Sequence, residues 1–322
     1  MGWGPGDRVL LPAYACESVV VPFVAAGLAP EFYAVKEDLS VDLDDLARRT
    51  GPGVRAGIVI HYFGWPQPGA VQAWLRGRSP ADGNVFWIED LTHALFTRVD
   101  GSPLGTWADA RLASYRKLLP CPDGCGLSFR EALPLPRAAP RASGWCYRAH
   151  GIARTATMVW AGFMPDHRGA VPRAVGALRS WRAGPVEIAP WSPASRRIIE
   201  RFDIVAAAAA RRRNAARLLE RVRGRPGITP LFSRIDPGVV PMVLPVRVVA
   251  RDQVRSALAA RGVEAVHHWP RPAAMPAAGC PVADRLRAEL LSLPVDERYG
   301  TDDMDRLGDL LTEVCHYHRH SA

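Results

Sequence analysis

The first 130 residues alternate short apolar runs with segments in which apolar residues recur every three or four positions. The apolar runs are rich in β-branched and aromatic residues, and several contain almost no polar residue, which is typical of strands buried on both faces. The pattern predicts six strands, at residues 8–14, 31–35, 57–63, 85–90, 110–115 and 125–129.

Helices are predicted between these strands, at residues 17–27, 42–49 and 67–76. Ser18 and Asp42 are the candidate N-caps, because their side-chain oxygens can accept a hydrogen bond from the first helical turn. Strand–helix–strand alternation is typical of a mainly parallel α/β sheet.

The second half of the chain has a different pattern. Residues 132–195 are rich in Pro, Arg, Ala and Trp and show little periodicity, so we expect loops and short helices there. Beyond them the pattern predicts a smaller α+β domain, and we place the domain boundary between residues 190 and 191. Its predicted elements are a helix at 195–223, a strand at 240–248 and helices at 251–261 and 302–315.

Composition favours a globular protein, with 48% hydrophobic and 23% charged residues. No apolar run approaches the length of a membrane span, about 18 residues. Residues 1–30 lack the features of a secretory signal, so we expect a cytoplasmic protein with reduced cysteines. The pair Cys121 and Cys125 and the histidine-rich tail at 315–320 lack a second ligand cluster, and we predict no metal site.

The formal net charge of +9 is compatible with either a nucleic acid or an anionic small substrate. The densest basic segment, 211–225, carries Ala215, Leu218, Leu219 and Val222 at helical spacing, which predicts an amphipathic helix with a solvated arginine face. No aromatic residues interleave with the arginines for base stacking. The segment therefore does not indicate nucleic-acid binding.

Lysine is rare in this chain. Of 41 basic residues only Lys36 and Lys117 are lysines. A lysine amine can lose its proton and attack a carbonyl, whereas a guanidinium stays charged. Lys117 follows the predicted strand that ends at Ser114, which makes it a candidate nucleophile, while Lys36 lies beside acidic residues in a loop.

A second strand end carries chemistry-bearing residues, Asp90 and, three positions later, His93. A strand-end aspartate with a lysine nearby is the pair that pyridoxal phosphate requires, because the carboxylate keeps the pyridine nitrogen protonated. The alternative is that Asp90 caps a following helix and Lys117 is incidental.

Six segments together are similar to motifs of the DegT/DnrJ/EryC1/StrS family of pyridoxal-phosphate sugar aminotransferases, which have the fold-type-I, aspartate aminotransferase-like architecture. They are spread in order over most of residues 4–130 and 190–312. The segments are GPGDRVLLPAYAC, IVIHYFGWPQP, WIEDLTHALF, SYRKLLPCPDGCGL, RGVEAVHHWP and LLSLPVDERYGTDDMDRL.

The resemblance implies roles for individual residues. Lys117 would hold the cofactor covalently, Asp90 would pair with its ring nitrogen, His93 would lie near its 3-hydroxyl and Ser114 would bind its phosphate. The ring-stacking position falls at Tyr14 or Cys16, and both remain open.

The chain also departs from the family pattern. The family's phosphate-binding loop and helix would precede Met1. Either an upstream start or a decayed gene product fits this departure; we favour the upstream start and expect weaker cofactor binding by the chain as it stands. Cys125 replaces the second glycine of the Asp-Gly-Gly motif. The Gly-x-Asn-x-Arg segment that relatives offer to the neighbouring subunit is not recognisable between residues 140 and 180.

The resemblance implies an aminotransferase that moves an amino group from a donor such as glutamate to a nucleotide-linked keto sugar, acting as a homodimer in polysaccharide or secondary-metabolite biosynthesis. Some relatives replace the lysine by histidine and act as dehydratases, and Lys117 favours transamination. The alternative is a cofactor-poor relative that serves as a binding or scaffold subunit.

Overall fold

A computed structural model of the chain describes residues 2–77, 85–121, 123–132, 191–277 and 279–319. Contacts divide it into two compact units. The first comprises residues 1–113, 127–130 and 203–322, and the second comprises residues 114–126 and 131–202. The predicted loops and short helices at 132–195 fall almost entirely outside the described residues, and the predicted domain boundary stays a prediction.

The main sheet has six strands in the order β2-β1-β3-β4-β7-β8. Its first five strands pair in parallel, as the alternating pattern predicts. The order reverses direction at β1, since β2 lies on one side of it and β3 on the other. The strands are β1 Arg8–Pro12, β2 Ala29–Tyr33, β3 Val54–Ile60, β4 Phe86–Asp90, β7 Ala110–Ser114 and β8 Cys125–Phe129.

Three helices connect the first strands: α1 Glu17–Ala25, α2 Leu43–Arg49 and α3 Gly69–Arg76. Asp42 is confirmed as the N-cap of α2, where its side chain accepts a hydrogen bond from the Asp45 amide at 3.0 Å. Ser18 is not a cap. The backbone is still extended at Cys16 and is already helical at Ser18, so Cys16 holds the N-cap position.

One face of the sheet packs around the large rings of Tyr33 and Trp87, which are buried among aliphatic residues of the strands and of α2 and α3. The Tyr33 hydroxyl donates to the Ile58 carbonyl oxygen at 2.7 Å, which satisfies its only polar group. Gly57 leaves room for the neighbouring indole, since a Cβ there would lie 2.2 Å from the Trp87 ring. The strand pairing of β3 and β4 therefore depends on a glycine at this position.

A short hairpin, β5 Arg98–Val99 and β6 Ser102–Pro103, follows β4. The segment 238–242, which we call the pinning segment, bonds to the turn after β3 and to the residues before the hairpin. The Thr97 hydroxyl donates to the Gly64 carbonyl at 2.6 Å and accepts from the Val240 amide at 3.0 Å. A Cβ on Gly64 would lie 2.3 Å from the Val240 carbonyl oxygen, so the two backbones touch.

The prediction of a single helix at 195–223 is wrong in one respect. The structure has two helices there, α4 Pro193–Arg201 and α5 Ile204–Val222. Asp203 separates them and caps α5, its side chain accepting from the Ala206 amide at 2.9 Å. A capping aspartate competes with helix continuation, since its side chain replaces the carbonyl that would otherwise serve the new first turn.

The apolar face predicted for α5 is confirmed, because Ala215, Leu218, Leu219 and Val222 are all buried. One arginine that was predicted to be solvated lies on this buried face instead, four residues before Ala215. Arg211 is buried and forms an ion pair with Glu297 at 2.6 Å.

The C-terminal part of the first unit contains a three-stranded antiparallel sheet in the order β11-β10-β9. The strands at 228–230 and 290–294 and the helix at 281–289 were not predicted from the sequence. The elements are β9 Ile228–Pro230, β10 Val243–Val248, α6 Arg251–Ala260, α7 Pro281–Glu289, β11 Leu290–Pro294 and α8 Thr301–Arg319.

Within the described residues, no helix combines the length and the apolar run needed to cross a membrane. The same part of the chain holds no group of three or more residues placed to bind a metal ion. Its five cysteines are all free thiols.

Candidate functional site

The carboxyl ends of β1, β3 and β4 lie at one edge of the main sheet, next to the point where the strand order reverses. Ligands of open α/β sheets bind in the crevice at such a reversal. Tyr14 and Cys16 follow β1, Tyr62 and Phe63 follow β3, and Asp90 ends β4. The topology therefore brings three of the predicted site residues to the expected edge.

Asp90 is buried, with 3% of its surface exposed. Its Oδ1 accepts a hydrogen bond from the Thr92 amide at 2.8 Å, and its carbonyl oxygen accepts from the His61 amide at 3.1 Å. Its Oδ2 accepts no hydrogen bond from any described residue of the first unit. The alternative that Asp90 caps a helix is wrong, because residues 92–96 form turns.

His93 is 1% exposed and belongs to a group of rings. It stacks on Phe63 with a centroid distance of 5.6 Å and an interplanar angle of 21°. Its Nδ1 accepts from the Phe63 amide at 3.4 Å, which places the ring proton on Nε2 when the imidazole is neutral. Trp269 and His268 approach the same imidazole at 5.3 and 5.7 Å.

The two candidates for the stacking position differ in exposure. Tyr14 has no exposed surface, and its ring lies 5.9 Å from Tyr62 and 5.7 Å from Trp269. Burial raises the pKa of the Tyr14 hydroxyl, and the nearby positive charge of Arg287 opposes that rise. Cys16 is partly exposed, and its sulfur lies 2.9 Å from the Ser18 hydroxyl.

We call this group of rings the aromatic cluster; its members are Tyr14, Tyr62, Phe63, His93, His268 and Trp269. The segments HYFGWP and VHHWP resemble family motifs, but no site residue was predicted in either. The signal was available, since both place aromatic and histidine residues directly after apolar strand-like runs. A residue outside the aromatic cluster positions the His268 ring, because His268 Nδ1 lies 2.8 Å from the Ser292 hydroxyl.

Glu89 precedes Asp90 in β4, so its side chain lies on the opposite face of the sheet. There it bonds to His61, in the turn after β3. Glu89 is fully buried, and its Oε1 lies 2.8 Å from His61 Nε2 and accepts from the Gly105 amide at 2.9 Å. His61 Nδ1 in turn accepts from the Gln67 amide at 2.9 Å, so Nε2 carries the proton and donates to Glu89. This chain of bonds fixes the backbone of residues 61–67 and with it the position of the Phe63 ring.

Ser114 and Lys117 belong to the second unit, whereas the other predicted site residues belong to the first. Residues Tyr115–Lys117 form a single turn of 3-10 helix directly after β7, and the Lys117 side chain is exposed. The Tyr115 amide donates to the Gly124 carbonyl at 3.1 Å, which ties the lysine turn to the Pro-Asp-Gly turn. A common site of Lys117 and Asp90 stays a prediction.

A network of side chains anchors the lysine turn to helix α4. The buried Asp123 accepts from the Ser192 amide at 3.2 Å and from the Ser192 hydroxyl at 3.2 Å. The Asp123 amide donates to the Ser195 hydroxyl at 3.3 Å. Ser192 is also the N-cap of α4, so one carboxylate joins the helix start to the turn that follows Lys117.

The model of the DegT/DnrJ/EryC1/StrS aminotransferase family matches residues 1–161. The chain is 30% identical over 151 residues to a dTDP-4-dehydro-2,3,6-trideoxy-D-glucose 4-aminotransferase from Saccharopolyspora spinosa, a match that covers 46% of this chain and 37% of that protein. It is 29% identical over 116 residues to a GDP-perosamine synthase from Vibrio cholerae, covering 36% and 30% of the two chains. The chain thus spans about a third of the length of these curated relatives.

The fold is shared with solved aminotransferases. The crystal structure of the aminotransferase TlmJ from Streptoalloteichus hindustanus superposes with a TM-score of 0.71 at 22% identity, covering 100% of this chain and 82% of that one. This similarity confirms the predicted fold class, a mainly parallel α/β sheet of the fold-type-I architecture.

Proposed function

Because the chain belongs to the DegT/DnrJ/EryC1/StrS aminotransferase family, we propose that it transfers an amino group from an amino acid such as glutamate to a keto sugar carried on a nucleotide. The names of the two relatives support this substrate class, since one acts on a dTDP-linked dehydro sugar and the other makes a GDP-linked amino sugar. The product would enter polysaccharide or secondary-metabolite biosynthesis. The structural observation that carries the proposal is the buried carboxylate of Asp90 at the carboxyl edge of the main sheet. Its Oδ1 accepts from the Thr92 amide, and its Oδ2 accepts no hydrogen bond from the described residues of the first unit.

The residues present fit pyridoxal 5'-phosphate as the cofactor. A buried carboxylate needs a positive or hydrogen-bonding partner, and the open Oδ2 of Asp90 suits a protonated ring nitrogen. His93, which carries its proton on Nε2, would donate to the 3-hydroxyl side of the ring. When bound, the cofactor supplies an electron sink for the carbon that gains or loses the amine.

The remaining roles fall to Lys117, Ser114 and the residues after β1. The Lys117 amine would hold the cofactor's aldehyde and then move a proton at the substrate carbon, a task that requires an amine able to give up its charge. Ser114 would donate its hydroxyl to the cofactor phosphate. Of the two stacking candidates we favour Cys16, because the Tyr14 ring is enclosed by its neighbours while Cys16 keeps exposed surface.

The charge of the chain supports an anionic substrate. A net charge of +9 is suited to a nucleotide diphosphate carrier. We further propose a cytoplasmic homodimer with a large domain over residues 1–190 and a small domain over residues 191–322.

The proposal is tested by adding pyridoxal phosphate to the purified chain and recording absorbance. We expect a band at about 420 nm from the lysine-bound cofactor. Borohydride reduction followed by peptide mapping should then label Lys117 and leave Lys36, the only other lysine, unlabelled. Absence of the band would support the alternative, a cofactor-poor binding or scaffold subunit, and label on Lys36 would contradict the role of Lys117.

A further inference from the structure

Three buried side chains around the end of β1 carry hydrogen-bonding atoms that the described residues leave without partners. The atoms are the Tyr14 hydroxyl, Nη1 of Arg251 and Nε of Arg287. Tyr14 is fully buried, and Arg287 and Arg251 are 7% and 8% exposed. An unpaired buried donor costs about 1–3 kcal/mol, more when it is charged, so three of them in one place call for a common partner.

The three side chains are neighbours within the first unit. The Arg287 guanidinium carbon lies 5.7 Å from the centre of the Tyr14 ring, and Arg287 Nη2 donates to the Ala13 carbonyl oxygen next to Tyr14. Arg251 is close enough for its charge to lower the pKa of the Tyr14 hydroxyl. We call Tyr14, Arg251 and Arg287 the donor cluster.

Positive charge is in excess around the donor cluster. Two carboxylates there each form ion pairs with two arginines. These four arginines and two carboxylates leave two positive charges without a matching negative charge. The pairs are Arg251 and Arg255 with Asp252, and Arg271 and Arg287 with Asp284. A guanidinium held in a low-dielectric site is stable when an anion with good geometry satisfies its N–H groups.

We propose that the donor cluster binds the oxyanion of a ligand, a carboxylate or a phosphate group. Nη1 of Arg251, Nε of Arg287 and the Tyr14 hydroxyl each have a hydrogen-bond donor to offer. An anion with two or more oxygens, such as a carboxylate or a phosphate, can accept from several such donors at the same time. Tyr14 also belongs to the aromatic cluster, so the oxyanion lies beside the candidate site. That the oxyanion is a group of the substrate rests on the proposed function. That the donor cluster binds an oxyanion does not.

The test is calorimetric titration of the cofactor-free chain with L-glutamate and, separately, with inorganic phosphate at constant ionic strength. We expect Arg251→Gln and Arg287→Gln to weaken binding of one probe at least about tenfold, a change of about 1.4 kcal/mol. A loss for glutamate identifies a carboxylate site and a loss for phosphate identifies a phosphate site. Wild-type protein that binds neither probe would overturn the proposal.

The chain offers matched controls on the same helices. Arg255 lies one turn after Arg251 in α6, and Arg285 lies two residues before Arg287 in α7; their side chains are 44% and 47% exposed. Arg255→Gln and Arg285→Gln remove the same charge but no buried donor, so affinity should stay within about twofold. Equal weakening in these controls would mean that only net charge matters and would overturn the proposal.

The arginine variants could lose binding because they fail to fold. Tyr14→Phe is therefore a second test, since it removes one oxygen and no charge. Without an anion this variant should melt at the same or a higher temperature than wild type, since an unpaired hydroxyl is lost. Its affinity for the probe should fall about fivefold, the loss expected for one hydrogen bond. Unchanged affinity in Tyr14→Phe would overturn the proposal, and none of these results depends on whether the chain catalyses amino transfer.

Discussion

The two units hold their candidate residues by different means. In the first unit Asp90 ends the central strand β4 and His93 lies in the turns that follow it, and backbone hydrogen bonds and packed rings fix their positions. In the second unit a single turn carries Lys117, and the side chains of Asp123, Ser192 and Ser195 anchor it to a helix start. A single side-chain substitution in the anchoring network should therefore loosen the lysine turn. Most single side-chain substitutions should leave the sheet edge in place, because backbone hydrogen bonds hold it.

The largest effect is expected from Lys117→Arg. The guanidinium keeps the charge but cannot act as a nucleophile, so turnover should fall by at least about 10⁴-fold, as it does when a nucleophile is removed from other enzymes. Steady-state assay of amino transfer measures the loss, with unchanged circular dichroism as the check on folding. The control Lys36→Arg changes the other lysine, in an exposed loop, and should retain wild-type turnover. Normal turnover in Lys117→Arg would show that Lys117 is not the nucleophile.

Gly64→Ala should be the most damaging small change in the first unit. A Cβ at this position would lie 2.3 Å from the Val240 carbonyl oxygen, and the φ of +109° is unfavourable for any other residue. We expect a loss of about 3 kcal/mol or more in the free energy of unfolding. Urea denaturation measures it, and Gly69→Ala, where a Cβ meets no atom within 4 Å, is the matched control. Equal stability of the two variants would mean that the pinning segment is not held against this turn.

Asp90→Asn separates charge from shape at the sheet edge. The amide keeps an oxygen for the Thr92 amide, so the variant should fold, but it no longer stabilises a positive ring nitrogen. We expect a rate at least about a hundredfold lower, the loss typical of one preorganised electrostatic group. Asp109→Asn, whose carboxylate accepts from the Trp87 amide at 2.8 Å on the same sheet, should leave the rate per folded molecule unchanged. A normal rate in Asp90→Asn would reduce Asp90 to a turn-stabilising role.

Asp123→Ala tests the anchoring of the lysine turn directly. It removes the acceptor for the Ser192 amide and hydroxyl, and the cost should be about 1–3 kcal/mol in local stability. Amide hydrogen exchange of residues 114–126 should accelerate, while exchange in the main sheet stays unchanged. Asp42→Ala, which removes a helix cap in the first unit at a cost of about 1 kcal/mol, should leave exchange in 114–126 unaffected. Equal acceleration in both variants would contradict the difference between the units.

The sequence predicted the main sheet well because its strands are buried on both faces and bounded by turn residues. The strand at 125–129, which follows Pro-Asp-Gly, has the predicted bounds. The break at Asp203 escaped prediction because a cap worth about 1 kcal/mol interrupts an otherwise continuous helical pattern. The burial of Arg211 could not be foreseen either, since its partner Glu297 lies in a distant part of the chain.

The candidate site was predicted in part. Asp90 and His93 share one motif, and the rule that ligands bind at the carboxyl ends of parallel strands was sufficient to find them. Trp269 and His268 were not assigned to the site, although they follow an apolar run, because that local pattern does not show that the chain returns to the end of β4. Tertiary packing alone brings these rings to His93.

The bonds of the pinning segment have a consequence for how the protein is made. The Val240 amide reaches a threonine hydroxyl 143 residues earlier in the chain, and the Met242 amide donates to the Phe63 carbonyl oxygen at 2.7 Å. Contacts this distant in sequence form late, because the intervening chain must be synthesised and its loop closed first. A ribosome adds about 5–20 residues per second, so Phe63 waits for its partner on the order of ten seconds after leaving the tunnel. During that interval the nascent sheet edge lacks the backbone hydrogen bonds that the pinning segment supplies.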